Sequence, residues 1–310
     1  MLIDFPDYSH SNPWQVKLIE TCAPMQVVRV NELKEYNCQI FHISWEDFIL
    51  VNFKSKLGKK NVINFMEDFL KNQSRQSKIV WTLHNITSHS FENKNQETQM
   101  RDLLMEYSSI IILMSEKHRF MIPEKHQSKI KVIPHFIETK KNIFDSVSKL
   151  KSPTFFKYGA PRGDKNLELY NNVLRNKDIN KFVSDSNIKI SEDNINSFIT
   201  KRRFSYNEEQ IFSQLSNFSM FYRKSNLNSG VLSHYIGKKL VVLHDSESIK
   251  YLDLPNVYKK FEKNIKTITT NEILEMIELL NLHDDEINYF IEERSPENIS
   301  KLFWSVVENL

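Results

Sequence analysis

Thr154-Phe-Phe-Lys-Tyr-Gly-Ala-Pro-Arg-Gly-Asp-Lys-Asn166 decides how this chain folds. Thr154 to Tyr158 read as a strand, Gly159 to Lys165 as a turn with two glycines and two cations, and Asn166 to Leu174 as a helix. Strand, turn and helix make half of a βαβ unit. The same alternation recurs downstream, with strands expected around Phe218 to Tyr222 and at Leu240 to Leu243 and a helix over Gly230 to Ile236. Three helical segments close the chain, near Asn271 to Leu280, Asp284 to Glu293 and Pro296 to Glu308.

Upstream, strands are expected at Met25 to Val30, Gln39 to Ile43, Ile79 to Leu83, Ser109 to Leu113 and Ile130 to Ile133. Helical segments lie between them at Pro13 to Thr21 and Val62 to Leu70, the first opened by Asn12 as N-cap and Pro13 at the first helical position. The pattern predicts an α/β protein with a parallel sheet in each half. A polar stretch from Thr139 to Ser152 reads as the linker, which divides the chain into domains at 1–145 and 152–290.

Composition agrees with that size. The 310 residues are about two typical domains, and 40% apolar with 26% charged residues excludes a disordered chain. A net charge of +3 is too small to point to nucleic acid. No run of about 18 apolar residues is present to span a bilayer, and Met1 to Tyr8 lacks the basic and apolar regions of a secretory leader. The expected location is the cytosol, with Cys22 and Cys38 as reduced thiols. Neither cysteine lies near a His or acid at metal-ligand spacing, so no metal site is expected. The dinucleotide G-x-G-x-x-G and the Walker P-loop are both absent.

Ligands of open parallel sheets bind beyond the carboxyl ends of the strands, so the residues just after each strand carry the chemistry. In the first half these are Ser44, Trp45, Glu46 and Asp47, and His84, Asn85 and His89. Imidazoles, an amide, two acids and an aromatic ring suit sugar hydroxyls and proton transfer, although a polar turn and a core tryptophan are the plainer readings. In the second half, Gly159 lets a ligand approach the backbone, and Arg162 with Lys165 can clamp a diphosphate from one side. Tyr222, Arg223, Asn228, Ser229 and Gly230 run from a strand into a helix whose free N–H groups favour an anion. Each segment alone is weak, and together they fit a nucleoside diphosphate. Lys54, Lys56, Lys59 and Lys60 follow the apolar run Phe48 to Val51, which suits either a solvated helix face or contact with an anionic membrane.

Six motifs in order carry a family resemblance. They are Asn12-Pro-Trp-Gln15, Phe41-His-Ile-Ser-Trp45, Trp81-Thr-Leu-His-Asn85 with His89, Lys131-Val-Ile-Pro-His135, Gly159 with Arg162 and Lys165, and Tyr222-Arg223 with Asn228-Ser-Gly230. The chain resembles, from about residue 10 to 247, bacterial GT-B glycosyltransferases of exopolysaccharide and capsule assembly, of the family 4-like type. The resemblance implies two Rossmann-like domains facing a central cleft, and a last helix, within 291–310, that crosses back to the first domain. It implies a nucleotide-sugar donor in the second domain, held by Arg162, Lys165, Ser229 and Gly230, and a saccharide acceptor, lipid-linked in many such enzymes, in the first. His84 would face the sugar, and no bound metal is needed because cations and a helix start offset the leaving-group charge.

Two departures leave the stereochemistry open. The loop Asp7-Tyr-Ser-His-Ser11 lacks glycine, and no E-x7-E arrangement follows His244. An inverting reaction needs a base, for which His84, His89, Glu46 and Asp47 are the candidates; a retaining one does not. A non-catalytic sugar-nucleotide-binding module and a nucleotide-sugar epimerase are the rival functions.

Overall fold

A computed structural model describes residues 1–7, 13–46, 48–50, 61–86, 94–139, 149–157, 173, 176–184, 197–200, 202, 204–222, 230–263 and 268–310. Two compact units divide the chain: Met1–Phe136 with Pro296–Leu310, and Ile137–Ser295.

In the first unit the elements run β1 (Leu2–Phe5), α1 (Pro13–Glu20), β2 (Val27–Arg29), β3 (Ile40–Ile43), α2 (Asn61–Gln76), β4 (Lys78–Thr82), α3 (Lys94–Tyr107), β5 (Ile110–Leu113) and β6 (Ile130–Val132). All six strands are parallel, in the order β2-β1-β3-β4-β5-β6. Helices bury both faces, so β5 is the uninterrupted run Ile-Ile-Ile-Leu. On one face Phe41 of β3 meets Phe69 of α2 edge-on, with ring centroids 5.3 Å apart. On the other, Leu2, Ile40, Val80, Ile110 and Ile112 pack with Leu18 and Ile19 of α1.

The second unit runs β7 (Thr154–Lys157), β8 (Asn180–Ser184), β9 (Ser197–Thr200), α4 (Tyr206–Leu215), β10 (Phe218–Phe221), α5 (Gly230–Gly237), β11 (Val241–His244), α6 (Ser246–Ile249), α7 (Asn256–Lys259), α8 (Thr270–Leu282) and α9 (Asp284–Glu293). Its five strands are parallel in the order β11-β10-β7-β8-β9. Ser205 with Glu208, and Thr269 with Glu272, close reciprocal capping boxes that start α4 and α8. Gly237 ends α5 where a Cβ would stand 2.8 Å from the Glu138 carbonyl oxygen, so glycine is the residue that fits.

The chain re-enters the first unit as α10 (Pro296–Val307). Ile299, Phe303, Trp304 and Val307 recur on one helical face and join the α1-side core. Each such side chain stabilises the unit by roughly 1.5–3 kcal/mol, and the Trp304 indole donates to the Ile19 carbonyl at 2.8 Å.

Seven elements are not expected from the sequence: β1, β8, β9, α3, α4 and the one-turn helices α6 and α7. β1 has four residues before Pro6, too few for a period to register. α3 buries Met100, Leu104 and Met105 but also Glu97, so its apolar stripe is thin. The expected helix over Asn166 to Leu174 and the Lys54 to Lys60 segment lie outside the described residues, apart from Val173.

Candidate functional site

Both sheets have a point where the strand order reverses and the connections leave in opposite directions, which opens a crevice at the carboxyl ends. In the first sheet it lies between β1 and β3, and in the second between β7 and β10.

Beyond β3 and β4 of the first unit, Trp45 and His84 stack face to face, ring centroids 4.1 Å apart and planes within 4°. His84 is buried and Trp45 half-buried. A clamp behind them fixes the two turns. Arg101, from α3, donates to the Glu46 carboxylate at 2.9 Å and 3.2 Å, to the Asn85 carbonyl at 2.9 Å and to the Ile86 carbonyl at 2.5 Å. Glu97 lies 3.1 Å from the same guanidinium, and the Trp81 indole N–H points to Glu46 at 3.4 Å. Glu46, expected among the candidate bases, is therefore held in a buried ion pair that ties β3's turn to β4's. Asn85 is half-buried beside His84. Asp47 and His89, the other two, lie outside the described residues.

Burial pushes the His84 imidazole well below the ordinary histidine range, and the charges of His135 and His42 add to the push. The ring is thus neutral at pH 7. His135, after β6, turns its Nδ1 to the Phe136 carbonyl at 2.7 Å.

At the second switch point, Lys157 ends β7 and Phe221 ends β10, on neighbouring strands. Gly159, Arg162 and Lys165 follow the first of these in sequence, and Arg223, Asn228 and Ser229 follow the second. All six lie outside the described residues. Tyr222 is described: its ring is buried and its hydroxyl donates to the Lys263 carbonyl at 3.2 Å. Gly230 is exposed at the first position of α5, with nothing among the described residues within 4 Å of the place a Cβ would take.

Sequence reasoning missed Arg101, which sits 55 residues from its Glu46 partner, and the gathering of Asp4, Gln15, His42, Ser44 and Thr82 into a buried polar group behind the first edge. Gln15, His42, Ser44 and Thr82 stand within the resemblance motifs, whereas Asp4 is marked only as a polar residue inside an apolar run. Among the described residues no three His, Cys, Asp or Glu are grouped to hold a metal ion, and no helix is long and apolar enough to cross a membrane.

In sequence, no protein-family model and no curated protein matches the chain. In structure it is similar to trehalose-6-phosphate synthase of E. coli bound with UDP-2-fluoro glucose, at TM-score 0.61 and 11% identity over 89% of this chain and 74% of that one. A UDP-forming α,α-trehalose-phosphate synthase from Burkholderia xenovorans gives TM-score 0.59 and 10% identity, covering 87% and 73%. Anabaena HepE in complex with UDP-glucose gives 0.55 and 10%, covering 88% and 79%. At these identities the likeness is one of fold. The chain has the GT-B fold, with a parallel α/β sheet in each unit.

Proposed function

We propose that the protein is a glycosyltransferase that moves a sugar from a nucleoside diphosphate to a saccharide acceptor. The observation that carries this reading is topological: the two segments expected from the sequence to bind an anion follow β7 and β10, the adjacent strands that flank the second sheet's switch point. A diphosphate there would meet Arg162 and Lys165 after one strand, and Ser229, Gly230 and the free amides of α5 after the other, with Tyr222, Arg223, Asn228 and Gly159 completing the donor site. The structural neighbours bound with UDP-glucose and UDP-2-fluoro glucose support a UDP-sugar as the donor class.

In the reaction the bond from the anomeric carbon to phosphate breaks, its electron pair goes to the diphosphate, and the acceptor oxygen bonds to that carbon. The acceptor's proton passes to a base or to the departing phosphate. Cations and amides around the diphosphate offset its growing charge. In the first unit, Trp45 and Asn85 would receive the acceptor. Neutral His84 suits hydrogen bonding to a sugar hydroxyl more than proton uptake, since its site disfavours the imidazolium. Asp47 and His89 remain the candidate bases, and Glu46 acts by fixing the turns. A lipid-linked acceptor in surface-glycan synthesis, approached through Lys54, Lys56, Lys59 and Lys60 at a membrane face, is the finer form of the proposal.

The test is a panel of UDP-, GDP- and dTDP-sugars. One of them should raise the melting temperature, because only a ligand that prefers the native state does so, and should be turned over with release of the nucleotide. Arg162→Ala and Lys165→Ala should each weaken nucleotide affinity by tenfold or more, the loss of about 1.5–3 kcal/mol for a charged hydrogen bond. Affinity without turnover would establish a binding module, inversion of the sugar without transfer an epimerase, and no binding at all would end the reading.

A further inference from the structure

The face of the first sheet that α1 and α10 cover is apolar at its amino-terminal side and polar toward its carboxyl edge. Asp4, Gln15, His42, Ser44 and Thr82 are all 0% exposed. Burying five polar side chains is costly unless their bonds are made, and apolar residues would pack this face at least as well.

The bonds are made. His42 Nδ1 lies 2.9 Å from Asp4 Oδ1 and its Nε2 lies 2.8 Å from Thr82 Oγ1. A carboxylate only accepts, so Nδ1 donates to Asp4, and Nε2 shares a second hydrogen bond with the threonine hydroxyl. Ser44 donates to Asp4 Oδ1 at 2.8 Å, and Gln15 donates at 2.7 Å both to Asp4 Oδ2 and to the Pro6 carbonyl. The Phe303 ring of α10 meets the His42 ring edge-on at 5.5 Å and fixes its plane.

Two strands of this group, β3 and β4, run directly into the candidate site, and β1 pairs with β3. Ser44 precedes Trp45, Thr82 stands two residues before His84, and Pro6, gripped through its carbonyl, follows Asp4 by two. Thr82 is the last residue of β4, so the bond to His42 anchors the point from which the chain turns toward His84. We propose that Asp4, Gln15, His42, Ser44 and Thr82 form a positioning network, centred on His42, that holds the Trp45–His84 stack at the edge of the first sheet. All five side chains are fully buried and act through the stack. Its consequence for turnover rests on the reading of that edge as the acceptor site; its consequence for the stack does not.

The test is Thr82→Val, which keeps the shape and removes the hydroxyl, beside Thr82→Ser and Ser44→Ala in the full chain. The imidazole resonances of His84 are followed by NMR, because a ring stacked on an indole is shifted upfield. In Thr82→Val and Ser44→Ala these resonances should move toward unstacked positions, and Thr82→Ser should restore them. With an active nucleotide sugar in hand, kcat should fall about tenfold in Thr82→Val while the donor KM stays within about twofold, and Thr82→Ser should recover most of the rate. Folded Thr82→Val and Ser44→Ala proteins with wild-type His84 resonances would overturn the proposal. So would loss of the fold in both, since the network would then serve stability alone. A wild-type protein that turns over no nucleotide sugar would end the functional reading and leave the resonance measurement standing.

Discussion

His84 shows how burial sets chemistry at the level of one residue. Its imidazole is held below the ordinary value of 6.5 by desolvation, then by the His135 and His42 charges. Above that pH, folded and unfolded chains both carry it neutral. As pH falls through 6.5 the unfolded chain takes up a proton that the folded one refuses, so stability should fall with acidification. Urea unfolding from pH 7.5 to 5 should show this slope, and His84→Gln should flatten it; a variant that kept the wild-type slope would contradict the assignment. Arg101 is a second case. Its guanidinium serves Glu46, Glu97 and two carbonyls, so Arg101→Met leaves buried acceptors unmatched and should cost about 3 kcal/mol in denaturant unfolding. Tyr258 is the converse: its buried hydroxyl has no hydrogen-bond partner among the described residues, and burial drives its ionisation far up. Tyr258→Phe should leave the melting temperature unchanged or raise it. Of these residues only His84 was legible in the sequence, since it stands just past an obvious strand. Arg101 lies in a thinly apolar helix and acts on a partner far along the chain, which no local pattern reveals.

Among elements, α5 and its ends carry the most constraint. Its first residue, Gly230, leaves open space, whereas its last, Gly237, faces the Glu138 carbonyl. Gly237→Ala should therefore destabilise by roughly 2 kcal/mol, the usual cost of overpacking against a fixed backbone, while Gly230→Ala should change the melting temperature little. Equal effects at the two positions would contradict this reading. Strands with continuous apolar runs, such as β5, and helices with full stripes, such as α10, were legible because both faces or one whole face must be buried. β1 was not, although it sits at the switch point and supplies Asp4, because its place is set by pairing with β2 and β3. β8 and β9 were hidden for a related reason: Asn180, Lys181 and Ser197 interrupt their apolar pattern.

For the whole molecule, the strand orders place a switch point in each unit; in the second the residues expected to bind ligands follow the two strands that form it, and in the first Ser44 to Asp47 follow β3 while His84, Asn85 and His89 follow β4, one strand away. That correspondence was readable only halfway: the sequence marks strand ends, and the pairing order alone says which ends are neighbours. All four tryptophans, Trp14, Trp45, Trp81 and Trp304, belong to the first unit. Removal of residues 296–310 should strip Phe303 and Trp304 from its core, and emission of the three remaining tryptophans should lie to the red of that of full-length Trp304→Phe as that unit loosens. A spectrum that matches that variant's would show that α10 is dispensable to it. The interleaved order also bears on biosynthesis. Residues 137–295 are contiguous and can reach their native state while translation continues, whereas the strands made first lack one of their covering helices, α10, until codons beyond 295 have been read. The amino-terminal part should therefore be the stage at which newborn chains depend on holdase chaperones, and a ribosome stalled just before Pro296 should display it still open to protease.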